Sequence, residues 1–126
     1  MNALLPLPVL IVAVGGAVGA VARYGVGLLA LRVSATGLPL GTWAVNLVGS
    51  FLIGLTLPFL MARGSDEWRL ALVVGFLGAF TTFSTFSLDT LVLWENGRPG
   101  WAVLNAAGSV VLGLACVALG FWIARH

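Results

Sequence analysis

Charged residues are scarce in this sequence of 126 residues, which has six basic residues, four acidic residues and a charged fraction of only 8%. A globular domain usually has about 25% charged residues. The chain therefore lacks the polar surface of a water-soluble protein, whereas 60% of its residues are hydrophobic. We expect most of its surface to face lipid.

Cysteine and histidine are equally rare, with one residue of each kind, Cys116 and His126. A single cysteine forms no internal disulfide, and these two residues cannot build the clustered sites that hold zinc, iron or copper. Asp89 is the only acidic residue inside a predicted membrane span, and no pair of nucleophile and base is visible. We therefore expect neither a transition-metal centre nor an enzyme.

Four long windows carry no charge, and they cover residues 1–22, 33–62, 70–88 and 99–124. Each window is close to or longer than the ~20 residues with which a helix crosses a bilayer. The windows are continuously apolar, whereas the strands of a membrane barrel alternate between lipid and lumen. The N-terminus lacks the basic region of a signal peptide, so we expect the first helix to be retained. The sequence predicts an all-α membrane protein, one transmembrane domain over residues 1–126, with helices at about 9–31, 42–61, 69–94 and 101–124.

The third window contains the unusual segment GFLGAFTTFSTFS, residues 75–87, with five hydroxyl side chains and four phenylalanines. Hydroxyl groups make a poor lipid-facing surface, and they can bond to backbone carbonyls and bend a helix. Irregular backbone in a membrane is tolerated where it is buried or lines a cavity. We expect the third helix to break between Gly78 and Thr85, which would free carbonyl oxygens suited to an alkali cation.

The same segment places phenylalanines at positions 76, 80, 83 and 86, which form one stripe in a regular helix. Such a stripe is usually packing. An aromatic ring, however, has a positive edge, and ring edges directed into a pathway can contact a small anion without trapping it.

Several polar side chains lie within the apolar windows. Arg23 either faces a partner or wet cavity or extends to the membrane interface. Asn46 carries two donors and one acceptor, so it either cross-links helices or contacts a transported species. Asn105 and Ser109 are four residues apart, on one helical face. Together with the phenylalanines, these groups indicate an anion route, although they leave the identity of the ion open.

The arginines are almost evenly divided between the two predicted sides of the membrane. Arg63, Arg69 and Arg125 lie on one side, and Arg32 and Arg98 lie on the other. Because arginine and lysine counts in short loops set orientation, the chain should insert in both orientations, and two opposite copies could pair. The alternative is that another factor fixes one orientation.

Four collinear motifs carry a resemblance to a known family: GAVARYGVG, GTWAVNLVGSFLIG, GFLGAFTTFSTFS and LNAAGSVVLGLACVALG. They closely resemble the Fluc/CrcB family of fluoride channels. The resemblance implies an antiparallel, dual-topology homodimer in the lipid of the bacterial plasma (inner) membrane, with two fluoride pathways and a structural sodium ion at the two-fold axis. It implies passive export of fluoride, which relieves fluoride toxicity, and no nucleic-acid partner.

The resemblance also assigns roles to particular positions of this chain. It places the vestibule arginine at Arg23, and the sodium-binding carbonyls at Gly78 and Thr81. The family commonly has a tyrosine where this chain has Asn105, which is shorter and lacks the ring. The fluoride pathway implied by the resemblance consists of Arg23, Asn46, Phe83, Phe86, Asn105 and Ser109.

Two other classes of membrane protein have a similar size. A small multidrug-resistance transporter is also a dual-topology four-helix protein, but its proton coupling needs an acidic residue in the first helix, and residues 1–31 contain none. A membrane assembly subunit without transport activity would explain the abundant glycine. It gives no reason for the hydroxyl and phenylalanine cluster in the third helix.

Overall fold

The computed structural model describes residues 6–126, so the first five residues of the 1–22 window lie outside it. Every regular element in the described residues is a helix. Four segments are long and apolar enough to span a membrane, which confirms the predicted number of transmembrane helices: Pro6–Val33 (α1), Leu40–Arg63 (α2), Asp66–Glu95 (the third span) and Pro99–Arg125 (α6).

Each of these segments extends past its predicted ends, for example to Val33 instead of residue 31 and to Arg63 instead of residue 61. The apolar windows mark the part of a helix within hydrocarbon. A helix can continue into the interface, because an arginine near its end keeps its charged group in water while its aliphatic part covers apolar surface. Arg32 and Arg63 lie in the last turns of α1 and α2.

The third span is divided into pieces, which are α3 (Asp66–Trp68), a π-helix (Arg69–Leu77), α4 (Gly78–Phe80) and α5 (Phe83–Glu95). Thr81 and Thr82 have extended backbone angles and separate α4 from α5. The predicted break is therefore confirmed, and it occupies two residues. The π-helix was not predicted, because a continuously apolar sequence has no pattern that distinguishes a π-helix from an α-helix.

Glycine allows α1 to lie against the π-helix with the two backbones in contact. A Cβ atom on Gly15 would collide with the carbonyl of Ala71, and one on Gly19 would collide with the carbonyl of Phe76. Small residues of this kind let membrane helices approach closely. Gly37 has a different role, because it lies in the loop between α1 and α2 with a φ of 76°.

The α2 and α6 helices form a second close pair. A Cβ atom on Gly54 would collide with the carbonyl of Val117, and one on Gly120 would collide with the carbonyl of Phe51. This pairing places the middle of α2 and the middle of α6 beside the break in the third span. The methyl group of Thr81 occupies the space above Gly49 of α2.

Candidate functional site

The break in the third span is held by one side chain of α2. The amide nitrogen Nδ2 of Asn46 donates to the Thr82 carbonyl at 3.0 Å, and the Thr82 N–H donates to Oδ1 of Asn46 at 2.7 Å. In a continuous α-helix the Thr82 N–H would instead donate to the Gly78 carbonyl. The Asn46 side chain therefore takes the place of the Gly78 carbonyl as the acceptor, and the Gly78 carbonyl oxygen is left without this helical hydrogen bond.

The two helix ends at the break offer groups of opposite polarity. Among the described residues, no backbone N–H donates to the carbonyls of Gly78 and Thr81. On the other side of the break, α5 begins at Phe83 with Thr82 as its cap, whose hydroxyl accepts from the Thr85 N–H at 3.1 Å. The first N–H groups of a helix carry partial positive charge. The break thus presents oxygen atoms suited to a cation and N–H groups suited to an anion.

A cavity of about 330 Å³ lies at the break, between α2, the third span and α6. It brings together residues that are distant in sequence. Six of the eight predicted site residues line it, namely Asn46, Gly78, Thr81, Phe83, Phe86 and Ser109.

The four phenylalanines do not form one stripe. Phe76 and Phe80 stack on each other with ring centroids 5.4 Å apart, and Phe80 is buried. Phe83 and Phe86 form a separate tilted pair with centroids 5.6 Å apart, and both line the cavity. One stripe requires a regular helix, and the extended residues Thr81 and Thr82 interrupt the helical periodicity between the two pairs.

Arg23 lines a second and larger cavity of about 700 Å³ between α1, α2 and α5. Asp89 also lies there, and its Oδ2 accepts a hydrogen bond from the Thr42 hydroxyl at 2.7 Å. Thr82 lines both cavities. The residue that interrupts the third span therefore stands at the boundary between the arginine-lined cavity and the phenylalanine-lined cavity.

Asn105 lies behind the wall of the smaller cavity. Its side chain is 1% exposed and lines neither cavity. Its Oδ1 accepts from Nε1 of Trp43 at 2.5 Å and from the Ser109 hydroxyl at 3.4 Å, and its Nδ2 donates to Oγ1 of Thr90 at 2.9 Å. Asn105 therefore connects α2, α5 and α6, and it reaches the cavity only through Ser109.

The sequence placed Thr82 in the hydroxyl cluster and in the expected break, but it assigned no site role to Thr82, Trp43 or Thr90. A threonine before a helical segment is a signal for a cap, so the role of Thr82 could have been found. Trp43 offered no such signal, because tryptophans near helix ends commonly form an interfacial belt. Its hydrogen bond to Asn105 depends on the α2–α6 pairing.

The donor atoms at the break fit an alkali cation better than a transition metal. Within residues 6–126 there is no group of three or more histidine, cysteine or acidic side chains that could hold a metal. Neutral backbone carbonyls are the ligands of alkali cations in channel proteins. The carbonyls of Gly78 and Thr81, released from helical bonding at the break, are oxygen atoms of this kind.

The chain is similar to known proteins over nearly its whole length. Residues 10–121 match the family described as CrcB-like protein, Camphor Resistance (CrcB). The relatives include proteins named fluoride-specific ion channel FluC. The one from Caulobacter vibrioides is 49% identical over 119 residues, which cover 92% of this chain and 94% of the relative. The one from Acidobacterium capsulatum is 50% identical over 117 residues, covering 91% of this chain and 94% of the relative.

These relatives are ion channels, which confirms the expectation that the chain is not an enzyme. Family membership does not depend on one short motif, because the match begins in α1 and ends in α6. The chain belongs to the CrcB-like family, in agreement with the resemblance seen in its four motifs.

Proposed function

We propose that this protein is a fluoride-selective channel through which fluoride leaves the cell passively. The observation that carries the proposal is the cavity at the break, where Asn46, Ser109 and the Phe83–Phe86 pair come together. The relatives are named fluoride-specific ion channel FluC, and these names indicate that the transported ion is fluoride. No observation favours the multidrug transporter, since α1 contains no acidic residue.

The chemistry of the cavity suits a small, strongly hydrated anion. An anion that loses water needs several donors at once, because an unpaired ion in an apolar medium is very costly. The Ser109 hydroxyl, the second amide hydrogen of Asn46 and the first N–H groups of α5 are such donors, and the rings of Phe83 and Phe86 add positive edges. None of these groups carries a full charge, so none holds the anion too tightly for passage.

Arg23 acts at a different point of the proposed route. Its positive charge in the larger cavity raises the local concentration of anions before they reach the boundary at Thr82. We propose that Arg23, Asn46, Phe83, Phe86 and Ser109 line the fluoride route. Asn105 contributes from behind the wall, through Ser109.

The active form is proposed to be an antiparallel homodimer with two fluoride pathways. The even division of arginines permits insertion in both orientations. The region around the break also lacks a partner within one copy, since Gly78, Ser84 and Ser87 are exposed and Phe83 is 79% exposed. Hydroxyl groups make a poor lipid-facing surface in the middle of a span. A second, inverted copy would cover them.

A structural sodium ion is proposed where the two breaks meet. The carbonyls of Gly78 and Thr81 from both copies would hold it. The Thr82 N–H donates to Asn46 and not to the Gly78 carbonyl, and the Thr85 N–H donates to the Thr82 hydroxyl and not to the Thr81 carbonyl. When bound, the ion would neutralise the partial negative charge of carbonyls in lipid. Because the relatives come from bacteria, we place the dimer in the bacterial inner membrane, where it would release fluoride that entered as HF.

Fluoride efflux from liposomes tests the function directly. Purified protein should release fluoride when the membrane potential is clamped, and it should release neither chloride at a similar rate nor a cationic drug. Phe83→Ile and Phe86→Ile should each slow fluoride efflux about tenfold, since this corresponds to ~1.4 kcal/mol of added barrier. Phe59→Ile is the matched control, because Phe59 is exposed on α2 and lines neither cavity.

The outcomes separate the candidate functions. Efflux of the drug without efflux of fluoride would identify a transporter of the multidrug class. Normal fluoride efflux in both phenylalanine variants would assign the two rings to packing and would remove them from the route.

A further inference from the structure

Asn105 is the most deeply buried of the polar side chains in the described part of the chain, with 1% exposure. It lies one helical turn before Ser109 on α6 and outside both cavities. A buried amide in a membrane protein is costly unless its oxygen and nitrogen are both paired. Its partners therefore show what holds it in place.

The orientation of the Asn105 amide is set by Trp43. An indole N–H can only donate, so the atom of Asn105 that faces it must be the oxygen. The nitrogen then faces Thr90, whose hydroxyl donates onward to the Phe86 carbonyl at 2.9 Å. The hydrogen bonds run in one direction, from Trp43 through Asn105 and Thr90 to the backbone of Phe86.

The same amide oxygen also determines how firmly the Ser109 hydroxyl is held. Oδ1 of Asn105 accepts from the Trp43 indole at 2.5 Å and from Ser109 at 3.4 Å. An O–H···O bond of 3.4 Å is long, because such bonds usually measure about 2.5–3.0 Å. The indole is thus the main donor to this oxygen, and the Ser109 hydroxyl can turn toward an anion in the cavity that it lines.

We infer that Trp43 is a positioning residue for anion passage. It satisfies the Asn105 oxygen and so keeps the Ser109 hydroxyl available to the anion. This inference rests on the proposed fluoride function, and it adds a residue that lines neither cavity.

Replacement of Trp43 by phenylalanine removes the donor and retains an aromatic ring. In Trp43→Phe, Ser109 becomes the one donor to Oδ1 of Asn105 within residues 6–126. The hydroxyl should then be drawn away from the cavity, and fluoride efflux should fall about tenfold, as for ~1.4 kcal/mol of added barrier. Trp101→Phe is the matched control, since its ring lies 6.4 Å from that of Trp43 and it lines neither cavity. Its efflux should match that of the wild type.

A double-mutant cycle distinguishes positioning from simple packing. In Asn105→Leu the amide oxygen that connects Trp43 to Ser109 is absent, so adding Trp43→Phe to this variant should change its efflux little. If Trp43 only fills space, Trp43→Phe should slow efflux about as much in Asn105→Leu as in the wild type. The reference for the double variant is the Asn105→Leu protein itself, and neither protein of this pair has an unpaired amide oxygen.

Size-exclusion chromatography and thermal unfolding of each variant should accompany the efflux measurements. Wild-type efflux in Trp43→Phe would overturn the inference, and so would an equal slowing by Trp43→Phe in the wild type and in the Asn105→Leu variant. Each of these results leaves the proposed function intact if the wild-type protein conducts fluoride. Wild-type protein without fluoride efflux would overturn both.

Discussion

At the scale of single residues, Asn46 and Thr82 combine a structural task with a proposed functional one. Two hydrogen bonds join the Asn46 amide to the Thr82 backbone, and the Thr82 hydroxyl caps α5. These bonds compensate the backbone groups that the break leaves without helical partners. The same two residues line the smaller cavity, so its shape depends on the bonds that stabilise the break.

Asn46→Ala should therefore reduce both stability and fluoride efflux. The change leaves the N–H and carbonyl of Thr82 without the Asn46 side chain, and each such buried group costs about 1–3 kcal/mol. We expect a lower unfolding temperature in detergent and a large loss of efflux from liposomes. Thr56→Ala is the control on the same helix, because the Thr56 hydroxyl donates to the Leu52 carbonyl of α2 itself and to no other span within residues 6–126. An Asn46→Ala protein with wild-type unfolding temperature would contradict the structural role.

Single residues of the candidate site could be predicted from the sequence, but their hydrogen-bond partners could not. The polar groups in apolar windows identified Asn46 and Ser109, since such groups need a reason to be in lipid. The partner of each group could not be predicted, because the Asn46–Thr82 and Trp43–Asn105 bonds join residues on different spans. Such pairings follow from helix packing.

At the scale of elements, the third span is irregular because its neighbours compensate for it. Its π-helix packs against the glycine face of α1, and its break is bonded to α2. Helix number, approximate ends and the existence of the break were predictable from apolar windows and the hydroxyl cluster. The π-helix was not, since Arg69–Leu77 has the composition of an ordinary apolar helix.

Gly19→Val tests the close approach of α1 to the π-helix. A Cβ atom at this position collides with the Phe76 carbonyl, which belongs to backbone and cannot rotate away. Overpacking of this kind costs about 1–3 kcal/mol, so we expect a clearly lower unfolding temperature. Gly25→Val is the matched control, because no atom lies within 4 Å of a Cβ atom there. Equal unfolding temperatures for the two variants would show that α1 does not pack as described.

At the scale of the whole molecule, residues 6–126 of one copy leave two backbone carbonyls of the third span without a backbone N–H donor. The sodium ligands proposed for it, the carbonyls of Gly78 and Thr81, are neutral oxygens at a helix break, and lipid offers no partner for them. An antiparallel second copy would supply an equal set of oxygens and would cover the exposed hydroxyl groups. The proposed sodium ion would then join the two copies.

Gly78→Val separates stability of the single chain from stability of the dimer. Within one copy, the nearest atom to a Cβ atom at Gly78 is the Val73 carbonyl oxygen at 3.6 Å, which is an ordinary contact. The single chain should therefore keep its helix content. At the proposed two-fold axis, however, two valines would occupy the space where the breaks meet. We expect this variant to be monomeric by size-exclusion chromatography with light scattering, and to lose fluoride efflux.

Gly25→Val again serves as the control. A Cβ atom at Gly25 meets no atom within 4 Å, and Gly25 lines neither cavity. Replacing sodium with N-methylglucamine should also weaken the wild-type dimer or slow its efflux, because removal of a ligand bound only by the assembled state lowers the stability of that state. A dimeric Gly78→Val protein with full efflux would mean that the two breaks do not meet. Wild-type protein with full efflux and an intact dimer in sodium-free buffer would show that the carbonyls at the break are stabilised by something other than sodium.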